Sequence, residues 1–99
     1  MKNKPITREE LKKLLAQKAD IQLIDVREPY EHEHHNIGGI LIPLNTILNN
    51  ADKITRDKKV ILYCRSGSRS MMAIEMLEQR FNLDNLYNLA GGIGQKNSS

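Results

Sequence analysis

The sequence of 99 residues has little of several residue types, and each shortage excludes a class of protein. It has one cysteine, so the chain forms no internal disulfide, which fits a reducing, cytoplasmic environment. It has no tryptophan and one phenylalanine, so few side chains could stack on bases. No apolar run approaches the roughly 20 residues of a membrane span. We therefore expect neither a nucleic-acid partner nor a membrane segment.

Positive and negative charges are distributed evenly along the chain. Fifteen lysines and arginines alternate with twelve acids and leave a net charge of +3, without a basic cluster. Residues 1–5 contain two lysines and lead into an amphipathic segment, so we expect no secretory signal. Charge therefore points to no polyanionic partner and no export.

The most informative stretch contains the single cysteine. Residues 60–63 read Val-Ile-Leu-Tyr, an apolar run typical of a buried parallel strand, and residues 71–77 have helical spacing. Between them, residues 64–70 read Cys-Arg-Ser-Gly-Ser-Arg-Ser, which predicts a loop at the carboxyl end of the strand. Open α/β sheets bind their ligands at that end.

Several features of this loop favour a thiolate at Cys64. Gly67 allows a tight turn in which backbone N–H groups point at the sulfur, and the following helix adds its positive end. Arg65 and Arg69 bring permanent positive charge. The thiolate is the reactive form, so the loop predicts a nucleophile that handles small anions. An inert cysteine, the alternative, would be expected among apolar neighbours.

Four stretches in order resemble the motifs of the rhodanese family, sulfurtransferases that carry sulfane sulfur as a cysteine persulfide. The loop at residues 64–70 resembles the family's active-site loop. Residues 25–31 read Asp-Val-Arg-Glu-Pro-Tyr-Glu and resemble its Asp-Val-Arg-Glu segment. Residues 36–44 resemble the segment that ends in Ile-Pro, and residues 88–93 resemble the Gly-Gly signature. The similarity extends from about residue 6 to residue 95.

The resemblance implies an α/β fold of the rhodanese-like type, with a small, mainly parallel β-sheet flanked by α-helices on both faces. Residues 1–99 would form a single domain with a core over about residues 6–95. Lys96 replaces a common tryptophan of the family, and the sequence stops at Ser99, so we expect a short or absent closing helix and a frayed tail over residues 96–99.

The resemblance also implies sulfur transfer through a persulfide at Cys64. The donor would be thiosulfate or a persulfide, and the acceptor cyanide or a thiol, including a thiol on a protein. No metal or organic cofactor is implied. The loop residues expected to bind the donor and hold the persulfide are Arg65, Ser66, Gly67, Ser68, Arg69 and Ser70.

Two other functions remain open. One is a non-enzymatic sulfur carrier or regulatory binding module that uses the same loop. The other is a cysteine phosphatase or arsenate reductase. One branch of the cysteine phosphatases has the same fold as the rhodaneses, but these phosphatases use a Cys-x5-Arg loop. Cys64 and Arg69 form a Cys-x4-Arg loop, whose tighter ring leaves less room for a phosphate.

Asp25 and Arg27 are the expected supporting residues. They end a strand predicted over residues 21–26, where alternation places both side chains on one side. We interpret them as a salt bridge or loop-capping pair, and the resemblance implies that this segment lies near the cysteine loop and supports it. Some rhodaneses have a substrate-binding arginine where this chain has Glu31.

Residues 28–35 are polar and predict a solvated loop. It contains His32, His34 and His35, but zinc sites usually need four ligands in a defined frame, so we expect no metal. Elsewhere, Thr7 and Glu10 predict a capping box at the start of a helix. The remaining patterns predict strands over residues 40–42 and 86–89, a short helix from residue 44 and a helix over residues 68–79.

Overall fold

The computed structural model describes residues 4–94, which form a five-stranded parallel β-sheet. The strands are β1 (Pro5–Ile6), β2 (Ile21–Asp25), β3 (Ile40–Leu41), β4 (Lys59–Tyr63) and β5 (Leu86–Leu89). Their order across the sheet is β1-β5-β4-β2-β3, with parallel pairing throughout. The apolar strand β4 is central, so the residue that follows it emerges in the middle of the sheet's carboxyl edge.

Three α-helices and two short 3₁₀ helices connect the strands. The α-helices are α1 (Arg8–Ala16), α2 (Pro29–His34) and α3 (Ser68–Phe81), and the 3₁₀ helices are Leu44–Thr46 and Leu48–Lys53. The predicted capping box is confirmed: the backbone N–H of Glu10 donates to Thr7 Oγ1 at 3.0 Å, and that of Thr7 donates to Glu10 Oε1 at 2.9 Å. No helix within residues 4–94 is both long and apolar enough to cross a bilayer.

Alternation along β4 divides the core into two clusters, one on each face of the sheet. Val60, Leu62 and Cys64 pack in the cluster that includes Leu77 of α3. Ile61 and Tyr63 pack in the other cluster, with Leu11 of α1 and partly buried neighbours. Helices therefore cover both faces, and the cysteine side chain points toward the α3 side.

The prediction of a loop over residues 28–35 is wrong, because residues 29–34 form α2. Pro29 occupies the first turn, where its missing N–H costs nothing and its fixed φ suits a helix. The Glu31 side chain accepts a hydrogen bond from the backbone N–H of Glu28 at 2.9 Å, which completes a capping box. Local capping thus makes a helix from a segment without apolar periodicity.

Three further elements differ from their predictions. The two-residue strand β1 was not predicted; it exists because Asn88 N donates to Lys4 O and Ala90 N donates to Ile6 O, both at 2.9 Å. The helix predicted from residue 44 is two 3₁₀ helices, the second bent where Asn50 has φ −117°. Helix α3 continues to Phe81. The expected tail at residues 96–99 and the expected short closing helix lie outside the described residues.

Candidate active site

Cys64 follows β4 directly and is fully buried. Its Sγ accepts a hydrogen bond from the backbone N–H of Gly67 at 3.0 Å and a longer one from that of Ser70 at 3.4 Å. The Ser70 hydroxyl lies 3.5 Å from the same sulfur. The loop therefore curls around the sulfur and turns hydrogen-bond donors toward it.

Gly67 makes this curl sterically accessible. It caps the N-terminus of α3 with φ +102°, in the left-handed region that favours glycine. The loop is closed from the other side by Ser70, whose hydroxyl lies 3.1 Å from Gly67 O and also contacts Asn88 Oδ1. Asn88 is itself buried in β5, so this hydroxyl links the loop to the adjacent strand.

The surroundings of Cys64 stabilise its thiolate. Burial raises the pKa of Cys64. Hydrogen bonds from the Ser70 hydroxyl and from the backbone N–H groups of Ser70, Gly67 and Ser66 together lower the pKa by more than burial raises it. The net pKa lies below that of an ordinary thiol. A larger fraction of the protein is therefore in the nucleophilic form at neutral pH.

The Gly-Gly segment packs against the back of the loop. Ile93 N donates to Cys64 O at 3.0 Å, and Gly94 N donates to Arg65 O at 2.7 Å. Gly92 has φ +65°, and a Cβ at this position would lie 2.3 Å from Arg65 O. The carbonyl groups of Cys64 and Arg65 are therefore hydrogen-bonded to the Gly-Gly segment, and the close approach of the two segments requires glycine at position 92.

Asp25 and Arg27 form the predicted ion pair, in which both carboxylate oxygens of Asp25 have hydrogen-bond partners. Arg27 Nε donates to Asp25 Oδ1 at 2.9 Å and Nη2 donates to Oδ2 at 2.8 Å. His32 Nδ1 lies 2.8 Å from Oδ2, and Arg27 Nη2 also donates to His35 O. Burial raises the pKa of Asp25, but the hydrogen bonds from Arg27 and His32 outweigh burial and lower it. The network ties β2 to α2 and makes no described contact with Cys64.

The two arginines of the loop have different surroundings. Arg69 Nη1 donates to Glu31 Oε1 at 2.8 Å and Nη2 donates to Glu31 Oε2 at 3.0 Å, a bidentate pair that joins α3 to α2. The hydrogen bond from Arg69, with smaller effects, lowers the pKa of Glu31 to about 2. Arg65 is exposed and forms no salt bridge within residues 4–94.

A cleft of about 460 Å³ lies beside the loop. It is lined by Arg27, Tyr30, Glu31, His34, His35, Arg65, Ile93 and Gly94. Arg65 is the loop residue on its surface, whereas Cys64, the preceding residue, is fully buried and does not line the cleft. The surface of the cleft therefore presents two guanidinium groups, those of Arg27 and Arg65, and the carboxylate of Glu31.

The structure thus separates the predicted loop residues into groups. Gly67 and Ser70 contact the sulfur, and Arg65 lines the cleft. Ser66 and Ser68 turn their hydroxyl groups toward each other at 3.2 Å, in an exposed position. The hydroxyl groups of these two serines make no described contact with Cys64.

Two residues beside the loop are not predicted by the sequence patterns. Glu31 pairs with Arg69 across 38 residues of sequence, where the family resemblance indicates only that an arginine is absent. Asn88 belongs to the segment that resembles the Gly-Gly signature, and its contact with Ser70 is visible only in the structure. A polar residue within the apolar strand β5 was a signal for it, because buried amides need hydrogen-bond partners.

The sequence profile of the family described as "Rhodanese-like domain" matches residues 7–96. The chain belongs to this family. It is 37% identical over 89 residues to a sulfurtransferase of Allochromatium vinosum, an alignment that covers 89% of this chain and 82% of that protein. The thiosulfate sulfurtransferase GlpE of Coxiella burnetii is 31% identical over 80 residues, covering 79% of this chain and 73% of GlpE.

The fold of this rhodanese-like domain is shared with solved structures. A rhodanese-like domain protein from Staphylococcus aureus superposes with a TM-score of 0.81 at 33% identity, covering 91% of this chain and 87% of that one. The predicted rhodanese-like α/β fold is therefore confirmed. Family membership and the sulfurtransferase relatives support sulfur transfer as the general function.

Proposed function

We propose that this rhodanese-like domain is a sulfurtransferase that carries sulfane sulfur on Cys64 as a persulfide. The observation that supports this most directly is the pair of backbone N–H groups, from Gly67 and Ser70, that donate to Sγ, with the Ser70 hydroxyl 3.5 Å from the same sulfur. These donors stabilise negative charge on sulfur. The resting thiolate carries that charge on Sγ, which makes Cys64 the nucleophile of the reaction.

In the first step, the Cys64 thiolate attacks the outer sulfur of the donor. The new S–S bond forms as the donor's own S–S bond breaks, and the bonding electron pair leaves with the remainder of the donor. Thiosulfate releases sulfite, and a small persulfide releases a thiolate. No separate base is needed, because the nucleophile is already ionised.

In the second step, a nucleophilic acceptor attacks the outer sulfur of the Cys64 persulfide. Cyanide leaves as thiocyanate, whereas an acceptor thiolate leaves as a new persulfide, and Cys64 returns as a thiolate. The acceptor thiol can belong to a small molecule or to a protein. We propose the cytoplasm as the location, since a lone cysteine fits a reducing compartment.

The surrounding residues have distinct roles in this proposal. Arg65, exposed in the cleft, attracts the anionic end of the donor. Asp25 and Arg27 hold the adjoining segments in place rather than take part in the chemistry. Because Cys64 is fully buried, the donor must be small or present a slender end.

The geometry of the loop disfavours a phosphatase. Cys64 and Arg69 are separated by four residues, one fewer than in the Cys-x5-Arg loop of a cysteine phosphatase. The shorter ring leaves less room for a phosphoryl group but still accommodates a single sulfur atom. We therefore expect no hydrolysis of an aryl phosphate that depends on Cys64.

Intact mass measurement tests the proposal. The protein and a Cys64→Ser variant are incubated with thiosulfate or with 2-hydroxyethyl persulfide, and excess donor is removed. The mass of one added sulfur atom on the native chain alone is the expected result. If neither donor adds sulfur, the sulfurtransferase proposal is wrong.

Turnover separates an enzyme from a sulfur carrier. Loaded protein is mixed with excess donor and cyanide, and thiocyanate is counted per chain. Many thiocyanate molecules per chain indicate an enzyme. Loading followed by a single transfer indicates a carrier and would contradict the enzymatic form of the proposal.

A further inference from the structure

The cleft beside Cys64 contains a negative charge as well as positive ones. Glu31 lines it, and its side chain is 17% exposed. The Glu31 carboxylate stays ionised at neutral pH, since its pKa is held at about 2 mainly by the hydrogen bond from Arg69. An anionic donor that enters the cleft therefore meets a permanent carboxylate.

The same carboxylate occupies the donor groups of Arg69. Both Nη atoms of Arg69 donate to Glu31, at 2.8 and 3.0 Å, and such bidentate pairs are geometrically specific. Arg27 is likewise paired with Asp25. Of the guanidinium groups that line or border the cleft, Arg65 alone makes no salt bridge within the described residues.

We propose that Glu31 is a specificity-determining residue that selects small alkyl persulfides over thiosulfate as sulfur donors. Glu31 does so by pairing with the charge of Arg69 and by repelling thiosulfate, which is a dianion. An alkyl persulfide brings less negative charge into the cleft and is repelled less. This inference rests on the proposed sulfur transfer at Cys64. The bond changes are those of the first step, with an alkyl thiolate as the leaving group.

The alternative is that Glu31 only fastens α2 to α3 through Arg69. In that case, removal of its charge would affect both donors equally through the position of the helices. The two interpretations therefore differ in the ratio of donor efficiencies and not in the overall rate.

The test compares kcat/KM for thiosulfate and for 2-hydroxyethyl persulfide in the native protein and in Glu31→Gln. Glutamine keeps the length of the side chain and one hydrogen bond to Arg69 while it removes the charge. We expect the ratio of the two kcat/KM values to shift toward thiosulfate on the order of 10-fold, mainly through KM, with a smaller shift at high salt. Glu33→Gln is the matched control, because Glu33 is an exposed acid on the same helix.

An unchanged donor ratio in Glu31→Gln, or an equal shift in Glu33→Gln, would overturn the inference. Should Glu31→Gln fold poorly by circular dichroism, Glu31→Ala with the same two donors gives a second uncharged variant. Intact mass keeps the two proposals apart. Failure of the native protein to load sulfur from both donors contradicts sulfur transfer, whereas loading with an unchanged ratio contradicts only the role of Glu31.

Discussion

Replacement of Gly92 by alanine tests how closely the Gly-Gly segment approaches the cysteine loop. The added Cβ would lie 2.3 Å from Arg65 O and 2.5 Å from Cys64 O, so backbone must move. Gly91 provides a matched control in the same turn. It also has a positive φ, +77°, but a Cβ there would have no atom within 4 Å.

The expected magnitudes follow from this contrast. An alanine in the left-handed region costs about 1–2 kcal/mol, and this cost applies to both variants. Steric overpacking adds about 1–3 kcal/mol at Gly92 alone. We therefore expect Gly92→Ala to lower the free energy of unfolding by about 2–5 kcal/mol and Gly91→Ala by about 1–2 kcal/mol. The entropic effect of alanine on the unfolded chain is common to both and cancels.

Urea denaturation of the two variants in parallel measures the difference. A domain of this size has a total stability of about 5–15 kcal/mol, so the larger loss is a substantial part of it. The rate at which iodoacetamide alkylates Cys64 reports on the loop, and it should change more in Gly92→Ala. Stabilities that agree within about 0.5 kcal/mol would refute the close approach of the segment to the loop.

Three further predictions concern the sulfur and the buried ion pair. Ser70→Ala should move the pH midpoint of Cys64 alkylation upward, because the thiolate loses a hydrogen bond, whereas Ser66→Ala should not; equal shifts would contradict this role. Arg27→Met should lower the free energy of unfolding in urea by about 3–5 kcal/mol, because Asp25 is left as a buried charge without its cation; a loss below about 1 kcal/mol would contradict this. Folding lowers the pKa of Asp25, so its contribution to stability is fully present above about pH 4 and disappears as the pH falls through the folded pKa. Urea midpoints in acid should therefore fall less steeply in Asp25→Asn than in the native protein, and parallel curves would argue against this linkage.

Local patterns in the sequence account for the parts of the fold that were predicted. The capping box at Thr7 and the strand, loop and helix around Cys64 depend on residues close together in the chain. Helix α2 is not predicted because a proline such as Pro29 is compatible both with the end of a strand and with the first turn of a helix. The capping box formed by Glu28 and Glu31 favours the helix. A polar segment without apolar spacing does not reveal that choice.

The geometry of the site depends instead on contacts between distant segments. The pair formed by Arg69 and Glu31 spans 38 residues, and the link from Ser70 to Asn88 spans 18. Each requires two elements to lie side by side in the sheet or on its faces. Motif order could suggest that these segments are neighbours, but it could not show which arginine would be paired.

The enclosure of a lone thiol has a consequence for oxidative damage. Cys64 has no exposed surface, and the chain has no second cysteine that could resolve a sulfenic acid as an internal disulfide. Further oxidation to the sulfinic acid would remove the nucleophile for good. The domain thus shields its sulfur by burial, and repair after peroxide exposure must come from a reductant outside the chain.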